Sequence, residues 1–310
     1  MPRASSEPER ILQRLDWTVV KRLDGLLQGD YRTLFRGFGF EMAELREYQL
    51  TDDVRAIDWN VTARMQEPWV RLFVEDRDIT AWFLLDVSPS VDFGPPDAQK
   101  RDLLVDFTAV LSRVLTRHGN RVGALLFGGG ETRVVPAKAG RTHVLRLIRE
   151  LTDQPRLPRA PRTDLSSLLD AALRMVRRRS LLFIISDFLS VPGWDRRLSM
   201  MARRHETLAV RLVDPREGEI PDVGPLMLED SETGEQLFVD THDRGFRRRY
   251  AELMRSRREG LRLMLVRAGV DLLELSTDGD MARDIVQFSA SRALRRTARG
   301  GRALARPRAG

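Results

Sequence analysis

The chain of 310 residues contains no cysteine. That excludes disulfide cross-links and every metal site built on thiolates. Lysine is almost missing too: of 52 basic residues only Lys21, Lys100 and Lys138 are lysines. The four histidines, His118, His143, His205 and His242, are scattered, with no H-E-x-x-H spacing. Each reads as a surface or helix-end residue rather than a ligand. No apolar run approaches the ~20 residues of a membrane span, and the opening MPRASSEPERILQRLDW lacks the apolar centre of a secretory leader. These absences together lead us to expect a cytoplasmic protein. The glycine triplet at 128–130 is not followed by G-K-[ST] and precedes a short β-type run, so it reads as a hairpin turn and not a phosphate loop. No G-x-S-x-G elbow surrounds Ser88.

What remains is a normal globular balance, 42% hydrophobic and 31% charged, able to bury a core. The net charge of +7 is carried by arginine, much of it in runs at 177–179 and 247–249 and in the tail RALRRTARGGRALARPRAG. Nucleic-acid binding through this basic surface and tail is one reading. The tail has no interleaved aromatics on which bases would stack, which disfavours it.

Hydrophobic periodicity divides the chain. Residues 1–35 read as a helical segment, with Ile11, Leu12, Leu15, Val19, Leu23, Leu26 and Leu27 at helix spacing and Gly29 as a stop. Residues 36–79 read as a small β-rich subdomain containing WVRLFVE at 69–75. Residues 80–295 alternate strands and amphipathic helices, and 296–310 read as a disordered basic tail. The strands AWFLLD (81–86), RVGALLFG (121–128), SLLFIISDF (180–188), TLAVRLVD (207–214) and VDLLELS (270–276) are nearly continuous apolar runs. Such runs suit parallel strands covered on both faces. Helices are expected after Asp97 as a cap, at 164–178 and at 243–269, and hairpins at 127–136 and at 226–240 with SETGE as the turn. The fold class is α/β, a doubly wound, mainly parallel, Rossmann-like sheet with a small helical and β-rich N-terminal part.

In an open parallel sheet, ligands sit beyond the carboxyl ends of the strands. Asp86 closes the first strand of the 80–295 region and begins DVSPS; Asp187 closes the strand SLLFIISD; Thr163 stands in a loop that opens a helix. Asp86, Ser88, Ser90, Thr163 and Asp187 therefore form a candidate metal site. All are hard oxygen donors, suited to Mg²⁺ first, and to Ca²⁺ or Mn²⁺. The plainer alternative is that Thr163 or Asp164 caps the helix at 165 and the other side chains satisfy loop amides.

The order DxSxS, then Thr before a helix, then Asp after a buried strand resembles a von Willebrand factor A domain. Its metal-ion-dependent adhesion site has that layout, and the resemblance transfers to the same five residues. It implies the strand order 3-2-1-4-5-6. Upstream, residues 45–94 resemble the signature of DUF58 proteins, with Arg46, Tyr48, Asp52, Asp53, Arg55, Asp58, Trp59, Ala63 and Arg64 in pattern. Thr51 departs from it, standing where the family usually has Gly. This resemblance implies a non-enzymatic protein-binding module, partnered by a MoxR-type AAA+ ATPase or a client of one. The acids of DDVRAIDW are expected to pair with Arg46, Arg55 and Arg64, with Trp59 anchoring the small part onto the main domain. The enzymatic rival makes Asp86 an aspartyl-phosphate nucleophile of a Mg²⁺-dependent phosphatase. Such enzymes usually carry a second Asp two residues on, where this chain has Ser88, and need a well-placed lysine.

Overall fold

A computed structural model describes residues 6–26, 43–49, 52, 54, 57, 59–73, 80–95, 98–157 and 159–303. Helix α1 (Glu7–Leu15) continues through a π-helical turn (Asp16–Val20) into α2 (Lys21–Leu26). Next come β1 (Ala43–Glu47), α3 (Trp59–Met65) and β2 (Trp69–Phe73), with β1 and β2 paired antiparallel. The main body begins with β3 (Thr80–Asp86), α4 (Lys100–Arg117), β4 (Arg121–Gly128), β5 (Glu131–Lys138) and α5 (Arg141–Thr152). It continues with α6 (Leu165–Met175), β6 (Leu181–Ser186), α7 (Asp195–Arg204) and β7 (Glu206–Val213). The hairpin β8 (Pro225–Glu229) and β9 (Gln236–Asp240) precedes α8 (Arg244–Ala268), β10 (Asp271–Ser276) and α9 (Met281–Ala303).

The main sheet has six strands in the order β5-β4-β3-β6-β7-β10. All neighbours are parallel except β4 and β5. Renumbered along the chain, that order is 3-2-1-4-5-6, as expected. Period-two geometry explains the apolar runs. Ala81, Phe83 and Leu85 of β3 enter one core with Leu181, Phe183 and Ile185 of β6, while Leu84, Leu182 and Ile184 enter the opposite core. Phe83 stacks on Phe183 at 5.1 Å and Phe107 of α4 meets Phe183 edge-on at 6.3 Å. Each such pair adds about 0.5–1.5 kcal/mol beyond its buried area.

Leu12, Leu15, Val20 and Leu23 are buried in the first core beside residues of α4 and α5. The N-terminal helices are thus a layer of the main core, tied down by Arg14–Asp106 and Arg22–Asp280 pairs, each at 2.6 Å. The second core is closed by Leu165, Leu168 and Leu169 of α6, Leu198 and Met201 of α7, and Leu265 of α8. Between β4 and β5, Gly129 and Gly130 both have positive φ, +61° and +85°. That is the geometry of a tight hairpin turn and suits residues without a Cβ.

Several expectations are corrected. Helix α9 runs to Ala303, through most of the tail expected to be disordered; its alanines and arginines are good helix formers. Residues 304–310 lie outside the described residues. Helix α4 starts at Lys100 with Gln99 as its N-cap, because Asp102 reaches back to the Gln99 amide at 3.2 Å in a capping box; the expected cap, Asp97, lies outside the described residues. His143 and His205 are buried rather than superficial. His143, on α5, reaches the sheet: its Nε2 pairs with the Val122 carbonyl of β4 at 2.8 Å. Trp59, at the start of the short helix α3, is 67% exposed, too exposed for the expected anchor. In the DDVRAIDW segment, whose expected pairings with arginine lie largely outside the described residues, Asp52 accepts from the Gln49 amide at 2.8 Å. Thr51, Asp53, Arg55 and Asp58 lie outside the described residues.

Candidate metal centre at the carboxyl ends of β3 and β6

Strands β3 and β6 run in register from Ala81 opposite Leu181 to Leu85 opposite Ile185. They are also the pair at which the strand order changes direction, with β4 leading away on one side and β7 on the other. Connections there leave on opposite faces, so the loops beyond the two strands part and form a crevice. Asp86 ends β3 and Asp187 follows β6 directly; both are buried.

The chain turns at once after β3. The Ser88 amide donates to Asp86 Oδ1 at 3.0 Å, and a 3-10 turn, Pro89–Asp92, follows with Ser88 as its N-cap. The proline suits the first position of that turn, where no amide donor is needed. The turn brings the Ser88 and Ser90 hydroxyls to 3.0 Å from each other, both buried. On the neighbouring strand, the Ser186 hydroxyl donates to Asp86 Oδ2 at 2.6 Å and accepts from the Phe188 amide at 2.8 Å. Phe188 has φ +60°, a left-handed conformation that costs a bulky residue on the order of 1–3 kcal/mol. Its ring packs against Trp194 at 5.7 Å, which helps hold the kink beside Asp187.

Asp187 is held at both oxygens. Oδ1 accepts from the Leu189 amide at 2.9 Å, and Oδ2 accepts from Lys100 Nζ at 2.8 Å. Lys100, the first residue of α4, is fully buried, and it donates as well to Glu217 Oε1 at 2.6 Å. Glu217 sits in the 3-10 turn Pro215–Glu217 that follows β7. Burial alone would pull the Lys100 ammonium down, but the charges of Asp187 and Glu217 outweigh it and the net shift is upward. Asp86 is the opposite case. Burial first, and then the charge of Asp187, push its carboxyl up to about 6, against the hydrogen bonds from Ser186 and Ser88.

Thr163 is not the helix cap. Asp164 is, accepting from the Ser166 amide and the Ser167 hydroxyl, each at 2.9 Å. The loop holding Thr163 is stitched to the loop after Asp187: Val191 N donates to the Thr163 carbonyl and Leu165 N donates to Ser190 Oγ, both at 3.0 Å. The Thr163 amide donates to Glu232 Oε2 at 2.7 Å, and its hydroxyl donates to Glu232 Oε1. Asp86 is thus bonded to the Ser88 amide and to Ser186, Ser88 pairs with Ser90, and Asp187 follows Ser186 in the chain, while Thr163 is tied to the loop after Asp187 and turns its hydroxyl proton to Glu232.

Sequence reasoning missed Ser186, Lys100, Glu217 and Glu232. Lys100 left one trace: a lysine kept where nearly every other cation is arginine. A compact ammonium fits between the buried Asp187 and the half-buried Glu217 where a planar guanidinium does not.

Among the described residues, no group of three or more His, Cys, Asp or Glu side chains could hold a metal ion. An ion in this crevice would rest on two carboxylates and on hydroxyls, a donor set that fits Mg²⁺, Ca²⁺ or Mn²⁺. The hydroxyls of Ser88 and Ser90 each keep lone pairs beyond their mutual hydrogen bond. Asp86, fully buried, has no cationic partner among the described residues, whereas Asp187 has Lys100. A buried carboxylate without a counter-charge costs several kcal/mol, and a bound cation would relieve that cost. The residues therefore fit the ion.

The family model described as "Protein of unknown function DUF58" matches residues 44–260. The Mycobacterium tuberculosis protein Rv1480 is 41% identical over 283 residues, covering 91% of this chain and 88% of its own. Among solved structures, BatB from Bacteroides thetaiotaomicron has a TM-score of 0.42 at 11% identity, covering 70% of this chain and 99% of its own. The SpRpn10 VWA domain has a TM-score of 0.39 at 11% identity, covering 68% of this chain and 94% of its own. With 217 consecutive residues, 44 to 260, under the family model and a relative of this identity along nearly the whole length, the chain belongs to the DUF58 family.

Proposed function

We propose that the protein is a non-enzymatic binding module that engages a protein partner through a divalent ion held by Asp86, Ser88, Ser90, Thr163 and Asp187. The observation that carries this reading is the buried Asp86 carboxylate, without a counter-charge among the described residues, beside Ser88 and Ser90 at the switch point of the sheet. Mg²⁺ is the ion of choice: it binds hard oxygens and commonly keeps waters that a visiting carboxylate can replace. The ion supplies a positive charge for that visitor. Asp86 supplies the compensating negative charge, the hydroxyls supply neutral donors, and Lys100 keeps Asp187 fixed without adding net charge. The family resemblance points to a MoxR-type AAA+ ATPase, or a client of one, as partner, and to the cytoplasm as the place of encounter. Among the described residues no helix is long and apolar enough to cross a membrane.

The phosphatase rival gains a lysine, Lys100, but that lysine contacts Asp187 and Glu217 rather than Asp86. Asp86 itself is fully buried with both oxygens engaged, poorly placed for attack on a phosphorus atom. The test is affinity capture from the native cell with Mg²⁺ or with EDTA, comparing wild type with Asp86→Ala. Partner recovery is expected to fall at least tenfold with either treatment while the fold, followed by circular dichroism, survives. Equal recovery in all arms would rule out metal-dependent engagement.

A further inference from the structure

Glu232 stands at the tip of the β8–β9 hairpin, an element outside the alternating strand–helix pattern. Its turn is braced from within. Asp230 Oδ1 accepts from the amides of Glu232 and Thr233 at 2.9 and 2.8 Å, the Gly234 amide donates to the Asp230 carbonyl at 2.8 Å, and Gly234 has φ +71°. Ser231 and Glu235 on either side are exposed, yet Glu232 is only 7% exposed. Its backbone carbonyl accepts from the Ala160 amide at 3.0 Å, which docks the tip onto the loop that holds Thr163. Its two carboxylate oxygens go to one residue, taking the amide and the hydroxyl of Thr163. Glu232 forms no ion pair among the described residues.

That double grip has a chemical consequence. A hydroxyl owns one proton and two lone pairs. With the Thr163 proton committed to Glu232, the oxygen has only lone pairs to offer anything else, which is the state a cation ligand requires. The nearby carboxylate also makes the hydroxyl oxygen more electron-rich, as outer carboxylates do for metal-bound side chains. A helix cap would use the Thr163 hydroxyl as an acceptor, but Asp164 fills that role. A contact serving only to dock the hairpin has no need of a buried carboxyl group, since the Ala160–Glu232 backbone bond already docks it.

We infer that Glu232 belongs to the metal centre as a positioning residue, fixing Thr163 so that its oxygen faces the ion; this rests on the metal-binding reading given above. The hairpin is then part of the binding site and not an ornament on it.

The test is direct titration of Mn²⁺ alone into the full chain, followed by electron paramagnetic resonance of free Mn²⁺, with thermal unfolding measured in parallel. Glu232→Ala is expected to weaken Mn²⁺ binding at least tenfold, in the range seen for outer partners of metal ligands. Glu232→Gln, which keeps the size but loses the charge, should fall between it and wild type. Thr241→Val is the structural control. The Thr241 hydroxyl ties the base of the hairpin, donating to the Gly224 carbonyl at 2.7 Å and accepting from the Val223 amide at 2.9 Å, and it touches nothing at the site. Its loss should lower the melting temperature and leave Mn²⁺ affinity within twofold. The inference is overturned if Glu232→Ala loses less than threefold in affinity, or if Thr241→Val loses as much as Glu232→Ala. Wild type that fails to bind Mn²⁺ at all would instead remove the metal reading and this inference with it.

Discussion

Lys100→Met should destabilise the protein by roughly 3–5 kcal/mol, the cost of stranding buried charges when one member of a buried ion pair is removed. The ammonium is fully buried and bridges Asp187, also buried, and Glu217. Methionine keeps most of the volume, so packing changes little and the loss reports the charge. Burial raises the Glu217 carboxyl, with Lys100 opposing that rise, so removing the lysine drives this acid further toward its neutral form. Urea unfolding should show a lower midpoint with little change in slope. The triple change Lys100→Met, Asp187→Asn and Glu217→Gln should recover much of the loss, because replacing a whole buried ionic group by neutral residues is often close to neutral. Lys100→Arg should not rescue: a guanidinium is wider and does not fit the same space as a point donor. A Lys100→Met protein that unfolds at the wild-type midpoint would show that this ammonium does not hold the strand ends together.

The second large effect separates function from fold. Asp86→Asn should reduce Mn²⁺ affinity at least a hundredfold, since it removes a fully buried carboxylate at the end of β3 that lacks a cation of its own among the described residues. The same change should leave metal-free stability unchanged or raised at pH 7. Burial already disfavours the charge on Asp86, and an amide keeps the shape at no charging cost. Its oxygen can accept from the Ser88 amide and its nitrogen can donate to Ser186 Oγ, so neither contact need be lost. Calorimetric titration of Mn²⁺ and thermal unfolding in EDTA read the two halves. Destabilisation comparable to that of Lys100→Met would mark Asp86 as a structural carboxylate and count against a ligand role.

Much of the sheet was legible because its strands are buried on both faces, and a continuous apolar run flanked by amphipathic helices leaves few topologies open. The ends of those runs then brought Asp86 and Asp187 to the same end of the sheet, since neighbouring parallel strands in register end together, with Ser186 opposite Asp86 and Asp187 one residue beyond. Lys100, Glu217 and Glu232 obeyed no such rule. Each reaches its partner across a long stretch of chain, 87 residues from Lys100 to Asp187 and 69 from Thr163 to Glu232, and periodicity says nothing about pairings at that range. The hairpin at 226–240 was readable as a hairpin, but the return of its tip to Thr163 was not. Trp59 misled for a related reason: an aromatic residue in a short segment suggests an anchor, yet whether a surface exists to receive it is a tertiary matter. The tail misled because arginine-rich composition suggests solvation, while alanine and arginine also extend a helix that is already nucleated and packed.

The most direct measurement is anomalous diffraction from crystals of the protein soaked in Mn²⁺. The expected result is one strong peak within about 2–2.5 Å of oxygens from Ser88 and Ser90, with Asp86 and Thr163 around it and Lys100 still on Asp187. Crystals soaked well above millimolar Mn²⁺ that show no peak there, with the Ser88 and Ser90 hydroxyls still bonded only to each other, would contradict a metal centre at this crevice.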